Sequence, residues 1–333
     1  MSYAIETRAL TKKFQYGQTL IGALKRKRPE EIPALADVSL QVPEQDVFGL
    51  IGPNSSGKTT LINILCTSLI PTSGAAYVGG FDVTKHPEST RPLIGLVTSN
   101  ERSFYWRLSG RENLRFFASL YKLQYKSVSG WIEELIDGLD LKSFASRRFD
   151  SYSTGVRQRF AVARALLHKP RILFMDEPTK GLDPIAAATF IGVIRQKIIH
   201  TWNPTVLITS HNLREIEQLC GSLAILHKGR IVCSGRVEEL ERDAVPYETY
   251  NLIVGNIEDR VLDSIGKLPG VLGVDASRAN GNVDLAIRLK RSGESISPVL
   301  RLVLSNGGEI YRCNQSAASL ESVFNHVISP SEH

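Results

Sequence analysis

Apolar residues fall into short continuous runs at Val47–Ile51, Ile172–Met175 and Val206–Thr209, each about the length of a strand. Runs of that length without alternation mark strands covered on both faces, as in a parallel sheet. Up to about residue 240 they alternate with helical patterns, which predicts an α/β domain around a largely parallel sheet. Between about 100 and 150 the period becomes helical. Leu114, Phe117, Leu120 and Tyr121 recur at i, i+3, i+6 and i+7, and Trp131, Leu135 and Leu139 at i, i+4 and i+8. A helical subdomain inserted between sheet strands is expected there.

Leu223–Leu226 and Arg230–Cys233 flank His227-Lys228-Gly229, the pattern of a hairpin. The charged, proline-bearing segment Glu241–Pro246 follows, so the reading divides the chain into domains 1–240 and 241–333. The tail reads β-α-β-β-α-β. Tyr250–Val254 is a strand, and Val261, Leu262, Ile265 and Leu268 share a helix face. Val271–Ser277 and Val283–Leu289 turn about Asn280-Gly281, a strong hairpin signal. Ile296, Val299, Leu300, Val303 and Leu304 form a second packed face, Glu309–Cys313 a last strand, and Leu320–Val327 a short helix. This predicts a small ferredoxin-like α+β domain, with no catalytic constellation in it.

Composition changes this picture little. Hydrophobic residues make up 42% and charged residues 22%, enough for a substantial core. No apolar run approaches the roughly 20 residues a bilayer crossing needs. The opening MSYAIETRALTKKF carries no signal-peptide core, so the chain reads as cytosolic. The four cysteines have no CxxC pairing and read as reduced thiols rather than a zinc or disulfide framework. A net charge of +6 allows an anionic partner without arguing for one, and no nucleic acid is expected. The basic run Lys25-Arg26-Lys27-Arg28 fits a solvated loop or contact with lipid headgroups.

The chemistry begins at Gly52-Pro53-Asn54-Ser55-Ser56-Gly57-Lys58-Thr59-Thr60, between the strand Val47–Ile51 and a helix starting near Lys58. A polyphosphate needs many donors converging on one place. Successive backbone N–H groups of a glycine-permitted loop supply them, and the following helix N-terminus adds its own. Lys58 is expected to bridge the β- and γ-phosphates, and the Thr59 hydroxyl to take one place on Mg²⁺. Downstream, Ile172–Met175 ends in Asp176-Glu177 at the sheet's carboxyl edge. Neighbouring strand positions point opposite ways, so the two acids have different tasks: Asp176 toward Mg²⁺, Glu177 as general base for the attacking water.

Around these lie Tyr152-Ser153-Thr154-Gly155-Val156-Arg157-Gln158-Arg159, then Gly181-Leu182-Asp183-Pro184, then Ser210-His211. In order and spacing, residues 4–240 resemble the ABC ATPases, the first segment their signature motif and the others their D-loop and switch histidine. The resemblance implies a P-loop NTPase cassette that binds ATP and Mg²⁺ and dimerises around ATP. Ser153 and Gly155 would then face the nucleotide of a second copy, Asp183 would help join the two copies, and His211 would contact the γ-phosphate. An aromatic residue upstream stacks on adenine in this family. Phe14 occupies that place, with Tyr16 as its rival and core packing of Phe14 as the other reading, and a long loop Gln15–Pro33 is expected after it.

Two departures stand out. Ser99 occupies the place of the family's glutamine that touches Mg²⁺ and water, with Asn100 and Glu101 as possible substitutes. In the signature, Thr154 replaces a glycine and Val156 a common glutamine. Ser103-Phe104-Tyr105-Trp106 stands where family members dock a permease, although burial in the insert's own core also fits. The DEPT-x-GLDP run and the tail near Leu320–Phe324 resemble bacterial drug, lipid and polysaccharide exporters. The resemblance thus implies a transporter's ATPase subunit at the cytoplasmic face of the plasma (inner) membrane, working with an integral membrane permease. A soluble ABC ATPase of translation or DNA maintenance is the alternative.

Overall fold

The computed structural model describes residues 3–16, 30–99, 103–244, 247–279, 282–290, 295–316, 320, 321, 323 and 324. Lys25–Arg28, Asn100, Glu101 and the Asn280-Gly281 turn lie outside them, as does the Tyr16 side chain. Two compact units form, Met1–Arg236 and Val237–His333.

In the first unit the chain runs β1 (Tyr3–Tyr16), β2 (Glu30–Pro43), β3 (Val47–Ile51), α1 (Lys58–Leu65), β4 (Ser73–Val78), β5 (Phe81–Asp82) and β6 (Ile94–Thr98). Three helices follow, α2 (Gly110–Leu120), α3 (Tyr125–Gly138) and α4 (Thr154–Leu166). The unit ends with β7 (Ile172–Asp176), α5 (Pro184–Val193), β8 (Thr205–Ser210), α6 (Leu213–Leu219), β9 (Ser222–His227) and β10 (Arg230–Arg236).

A six-stranded sheet has the order β10-β9-β3-β8-β7-β6 and is parallel except for β10. All five residues of β3 are buried, as a strand covered on both faces demands. Register aligns Ile51 with Ser210, Thr98 with Asp176, and Asp176 with Thr209. The strand ends therefore meet at one carboxyl edge, where the functional residues collect. A smaller antiparallel sheet, β2-β1-β4-β5, packs its Leu10, Leu35, Val38 and Val78 with Phe48 and Leu50 of β3.

Where a long loop Gln15–Pro33 is expected, pairing continues at both its ends, Gln15 with Glu31 and Tyr16 with Glu30. Two antiparallel strands that begin to pair gain a bond at every second residue, so the ladder runs outward past the sheet. The insert begins with a capping box: Ser109 Oγ accepts from Glu112 N at 3.3 Å, and Glu112 Oε2 accepts from Ser109 N at 2.8 Å. Leu114, Phe117, Leu135 and Leu139 are buried as their period requires, whereas Leu120 and Tyr121, at the end of α2, are exposed. Phe104 is buried too, stacked on Phe149 at 4.3 Å, whereas Tyr105 and Trp106 are half exposed. The aromatic run thus serves both the insert's core and its surface.

The second unit contains α7 (Val237–Ala244), β11 (Tyr247–Gly255), α8 (Asp259–Gly266), β12 (Val271–Ala279), β13 (Asn282–Lys290), α9 (Ser297–Ser305) and β14 (Glu309–Ser316). Its antiparallel sheet has the order β12-β13-β11-β14, the split β-α-β arrangement of a ferredoxin-like fold. Val261, Ile265, Val299 and Val303 cover Leu252, Val254, Leu285 and Ile287. Leu304 is instead 58% exposed, so the buried stripe of α9 is narrower than its apolar face.

All four cysteines are unpaired; burial pushes the Cys66 thiol up to about 12, which keeps it inert. No helix among the described residues is long and apolar enough to cross a membrane.

Candidate active site

The loop 52–60 leaves the central strand β3 through space that admits no side chain. A Cβ on Gly52 would stand 2.2 Å from Leu226 O, and one on Gly57 2.5 Å from Ala34 O. Gly57 also sits at φ 111°, outside the range that L side chains favour. Gly229 N donates to Ser56 O at 3.0 Å and pins the loop to the β9–β10 turn.

Helix α1 starts at Lys58, whose side chain is only 5% exposed. Its Nζ donates to Gly52 O at 2.8 Å and Pro53 O at 3.1 Å, and lies 3.6 Å from Glu177 Oε1. Burial lowers the ammonium's pKa, against the opposing pull of the Glu177 charge.

The two acids at the end of β7 have different surroundings, Asp176 as the strand's last residue and Glu177 in the turn beyond it. Asp176 Oδ2 accepts from Thr59 Oγ1 at 2.9 Å, and Oδ1 from Thr209 Oγ1 at 2.7 Å. Glu177 sits at φ 47°, a left-handed conformation uncommon for a residue with a side chain. Its N–H donates to Thr209 O at 3.1 Å and to Thr209 Oγ1 at 3.0 Å, which holds that turn. Its carboxylate faces three cationic or protonatable groups: Lys180 Nζ at 2.9 Å, Lys58 Nζ at 3.6 Å and His211 Nδ1 at 3.6 Å. Burial alone would raise the Glu177 pKa, but these neighbours outweigh it and hold the carboxyl below its ordinary value.

Asn54 to Thr60 line a cavity of about 450 Å³ together with Ala34, Ser99, Asp176, Glu177 and Lys180. Ser99 N donates to Asp176 O at 3.2 Å, which brings Ser99 to the rim. Gly52 and Pro53 reach this site through their carbonyls on Lys58. His211 lies beside it and lines a neighbouring groove between α5 and α6.

Four further expected residues do not line the cavity either. Ser153 caps α4, its Oγ accepting from Val156 N at 3.4 Å. Asp183 caps α5, its Oδ1 accepting from Ile185 N and Ala186 N at 3.0 and 2.9 Å. A Cβ on Gly155 would be 3.4 Å from Ala186 Cβ, so these two helix starts meet each other instead. Phe14 is 37% exposed on β1, with Lys12 Nζ 5.2 Å from its ring centre. It is not a core residue.

The structure adds Thr209, Lys180 and Glu215 to the site. Buried Glu215 accepts from Thr179 Oγ1 and Ser210 Oγ at 2.8 Å and from Asn212 Nδ2 at 3.1 Å, fastening the His211 turn to the turn after Glu177. Its one local signal is Asn212-Leu213-Arg214-Glu215, the spacing of a capping box. Glu215→Leu strands two hydroxyls in the interior and is expected to cost about 2–3 kcal/mol of stability, since each buried unpaired group is expensive. Urea unfolding measures it; a loss under about 0.5 kcal/mol would show that the network holds nothing.

This donor set suits a magnesium nucleotide. The Ser56 hydroxyl is buried without a hydrogen-bond partner, two glycines clear a cradle, and a buried ammonium stands over the loop. One carboxylate bonded to a threonine is also the small ligand set Mg²⁺ uses when phosphates complete its shell.

Residues 35–180 match the ABC transporter family. The ABC transporter ATP-binding protein NatA of Bacillus subtilis (strain 168) is 35% identical over 209 residues, 63% of this chain and 84% of that protein. The bacitracin transport ATP-binding protein BcrA of Enterococcus faecalis is 29% identical over 98% of this chain and 97% of its own. Among solved structures, the ADP conformation of MJ1267, an ATP-binding cassette of an ABC transporter, superimposes with a TM-score of 0.60 at 25% identity, covering 72% of this chain and 93% of that one. The chain belongs to the ABC transporter ATP-binding proteins and is an ATP-binding, ATP-hydrolysing cassette of that family.

Proposed function

We propose that this chain is the motor subunit of an exporter, pairing with a second copy around ATP and driving a separate membrane permease from the cytoplasmic face. The observation that carries the chemistry is the division of labour at the end of β7. Both oxygens of Asp176 are held by threonine hydroxyls, while Glu177 faces the cavity among Lys58, Lys180 and His211.

In this reading residues 52–60 bind the phosphates through backbone N–H groups. Lys58 turns from its two carbonyls to the β- and γ-phosphates, and Phe14 stacks on adenine. Thr59, Asp176 and Ser99 hold Mg²⁺, which supplies charge neutralisation at the bond that breaks. Glu177 takes a proton from the attacking water, and His211 orients that water. Ser153 and Gly155 at the start of α4 complete the site of the other copy, with Asp183 between the copies. Ile185, 81% exposed just after Asp183, fits an apolar contact there.

The half-exposed Tyr105 and Trp106 are the surface proposed to meet the permease. Export follows the relatives: BcrA is named for bacitracin transport, and DrrA3 of Streptomyces coeruleorubidus, 31% identical over 93% of this chain, for daunorubicin resistance. Residues 241–333 act as an accessory domain. Affinity purification of the tagged full chain from detergent-solubilised membranes is expected to bring down one polytopic membrane protein, and less of it for Trp106→Ala. Recovery of the chain alone, wholly from the soluble fraction, rules the transporter reading out.

A further inference from the structure

Strand β6 forms one edge of the six-stranded sheet, so its outer carbonyls have no strand to meet. Three of them are met by side chains of α4 and the turn after it. His168 Nε2 lies 2.8 Å from Ile94 O, Arg164 donates to Leu96 O at 3.4 Å, and Gln158 Nε2 donates to Thr98 O at 3.1 Å. The strand advances about 13 Å over these residues and a helix about 15 Å over the matching ten, so antiparallel partners stay in step. Gly95 permits the close approach, since a Cβ there would stand 2.6 Å from Ala165 O.

The rung at Gln158 differs from the other two in what it joins. Gln158 is polar yet only 4% exposed, and it lies between one and two turns beyond Ser153, which caps the same helix. Thr98, whose carbonyl it holds, is paired in register with Asp176. Ser99 N bonds to Asp176 O, and the Asp176 carboxylate bonds to Thr59. An unbroken series of bonds thus runs from the start of α4 to the nucleotide cavity. His168, at the other end of the ladder, meets the beginning of β6 and the ring of Tyr121, away from the nucleotide cavity.

We infer that Gln158 is a positioning residue for ATP hydrolysis, keying the end of β6, and with it Ser99 and Asp176, to the start of α4. The inference rests on the reading in which Ser153 meets the nucleotide of the second copy. If α4 moves as that contact forms, Gln158 carries the Thr98 carbonyl with it or breaks a buried bond.

The test is steady-state ATPase kinetics and thermal melting of full-chain variants. Gln158→Leu is expected to lower kcat about tenfold with KM for ATP within about twofold, the factor one hydrogen bond is worth at a barrier. Gln158→Lys, whose ammonium can donate to the same carbonyl, is expected to restore most of that rate. His168→Leu loses the same kind of bond farther away, so Tm falls and kcat holds. Ser153→Arg checks the underlying reading and is expected to be inactive. If it hydrolyses ATP normally, that reading fails and the Gln158 assignment with it. If it is inactive while Gln158→Leu keeps full kcat, or while Gln158→Lys rescues nothing, the Gln158 assignment alone is overturned.

Discussion

Glu177→Gln is expected to lower kcat by about 10²- to 10⁴-fold, the range a positioned general base contributes, while ATP still binds. Glutamine has the same shape and tolerates the same backbone, so the φ 47° turn and its bonds to Thr209 should persist. What disappears is the carboxylate. In the free protein it stands ionised at neutral pH because Lys180, Lys58 and His211 outweigh the effect of its burial. With no base to take the proton, attack by water is slowed but phosphate contacts are not. ATP should therefore persist in the site and the ATP-bound dimer accumulate. Phosphate release with Mg²⁺ and ATP, read beside equilibrium binding of a fluorescent ATP analogue, separates the two steps. Phosphate release at the normal rate from the variant would remove Glu177 from the chemistry and undo the division of labour proposed for β7.

That assignment illustrates what local sequence carries. Asp176 ends an apolar strand and Glu177 begins the turn after it, so neighbouring positions in the sequence already place the two acids together at the sheet's carboxyl edge. The loop 52–60 is legible for a related reason. Gly52 and Gly57 stand where a Cβ collides with backbone, and such a constraint leaves its mark within a few residues. Groups that meet through the sheet's register leave no such mark. Thr209 reaches Asp176 across 33 positions, and Glu215 reaches Thr179 across 36. Both contacts exist because β7 and β8 are neighbours in a parallel sheet, a fact of topology rather than of spacing. The same holds for Gly95, a featureless strand glycine until α4 is laid over β6. Phe14 is placed only by its neighbours in sequence; its ring lies on an exposed strand beyond the phosphate cavity, where the adenine proposal puts it. The strand extension through Gln15 and Tyr16 also escaped local reading, because a ladder needs both partners to be known.

Lys58→Ala is expected to weaken ATP binding by more than about a hundredfold, the loss of one desolvated charge-assisted contact to phosphate, while the fold survives. In the free protein the ammonium is spent on Gly52 O, Pro53 O and the flank of Glu177. Removing it releases the two carbonyls it had held, and it also removes the cost of keeping a charge only 5% exposed. These effects oppose each other, so net stability should move by no more than about 1 kcal/mol. Glu177 keeps Lys180 at 2.9 Å and stays ionised. The informative companion is Lys58→Arg. A guanidinium is planar and wider than an ammonium, and the place between carbonyls at 2.8 and 3.1 Å is shaped for a compact group. Arginine should therefore behave like alanine in binding despite its charge, and unlike alanine it should also lower Tm through overpacking. Calorimetric titration with ATP and urea unfolding of both variants decide the matter. If arginine binds ATP as lysine does, the site needs only a positive charge, and the close fit around Lys58 plays no part in recognising phosphate.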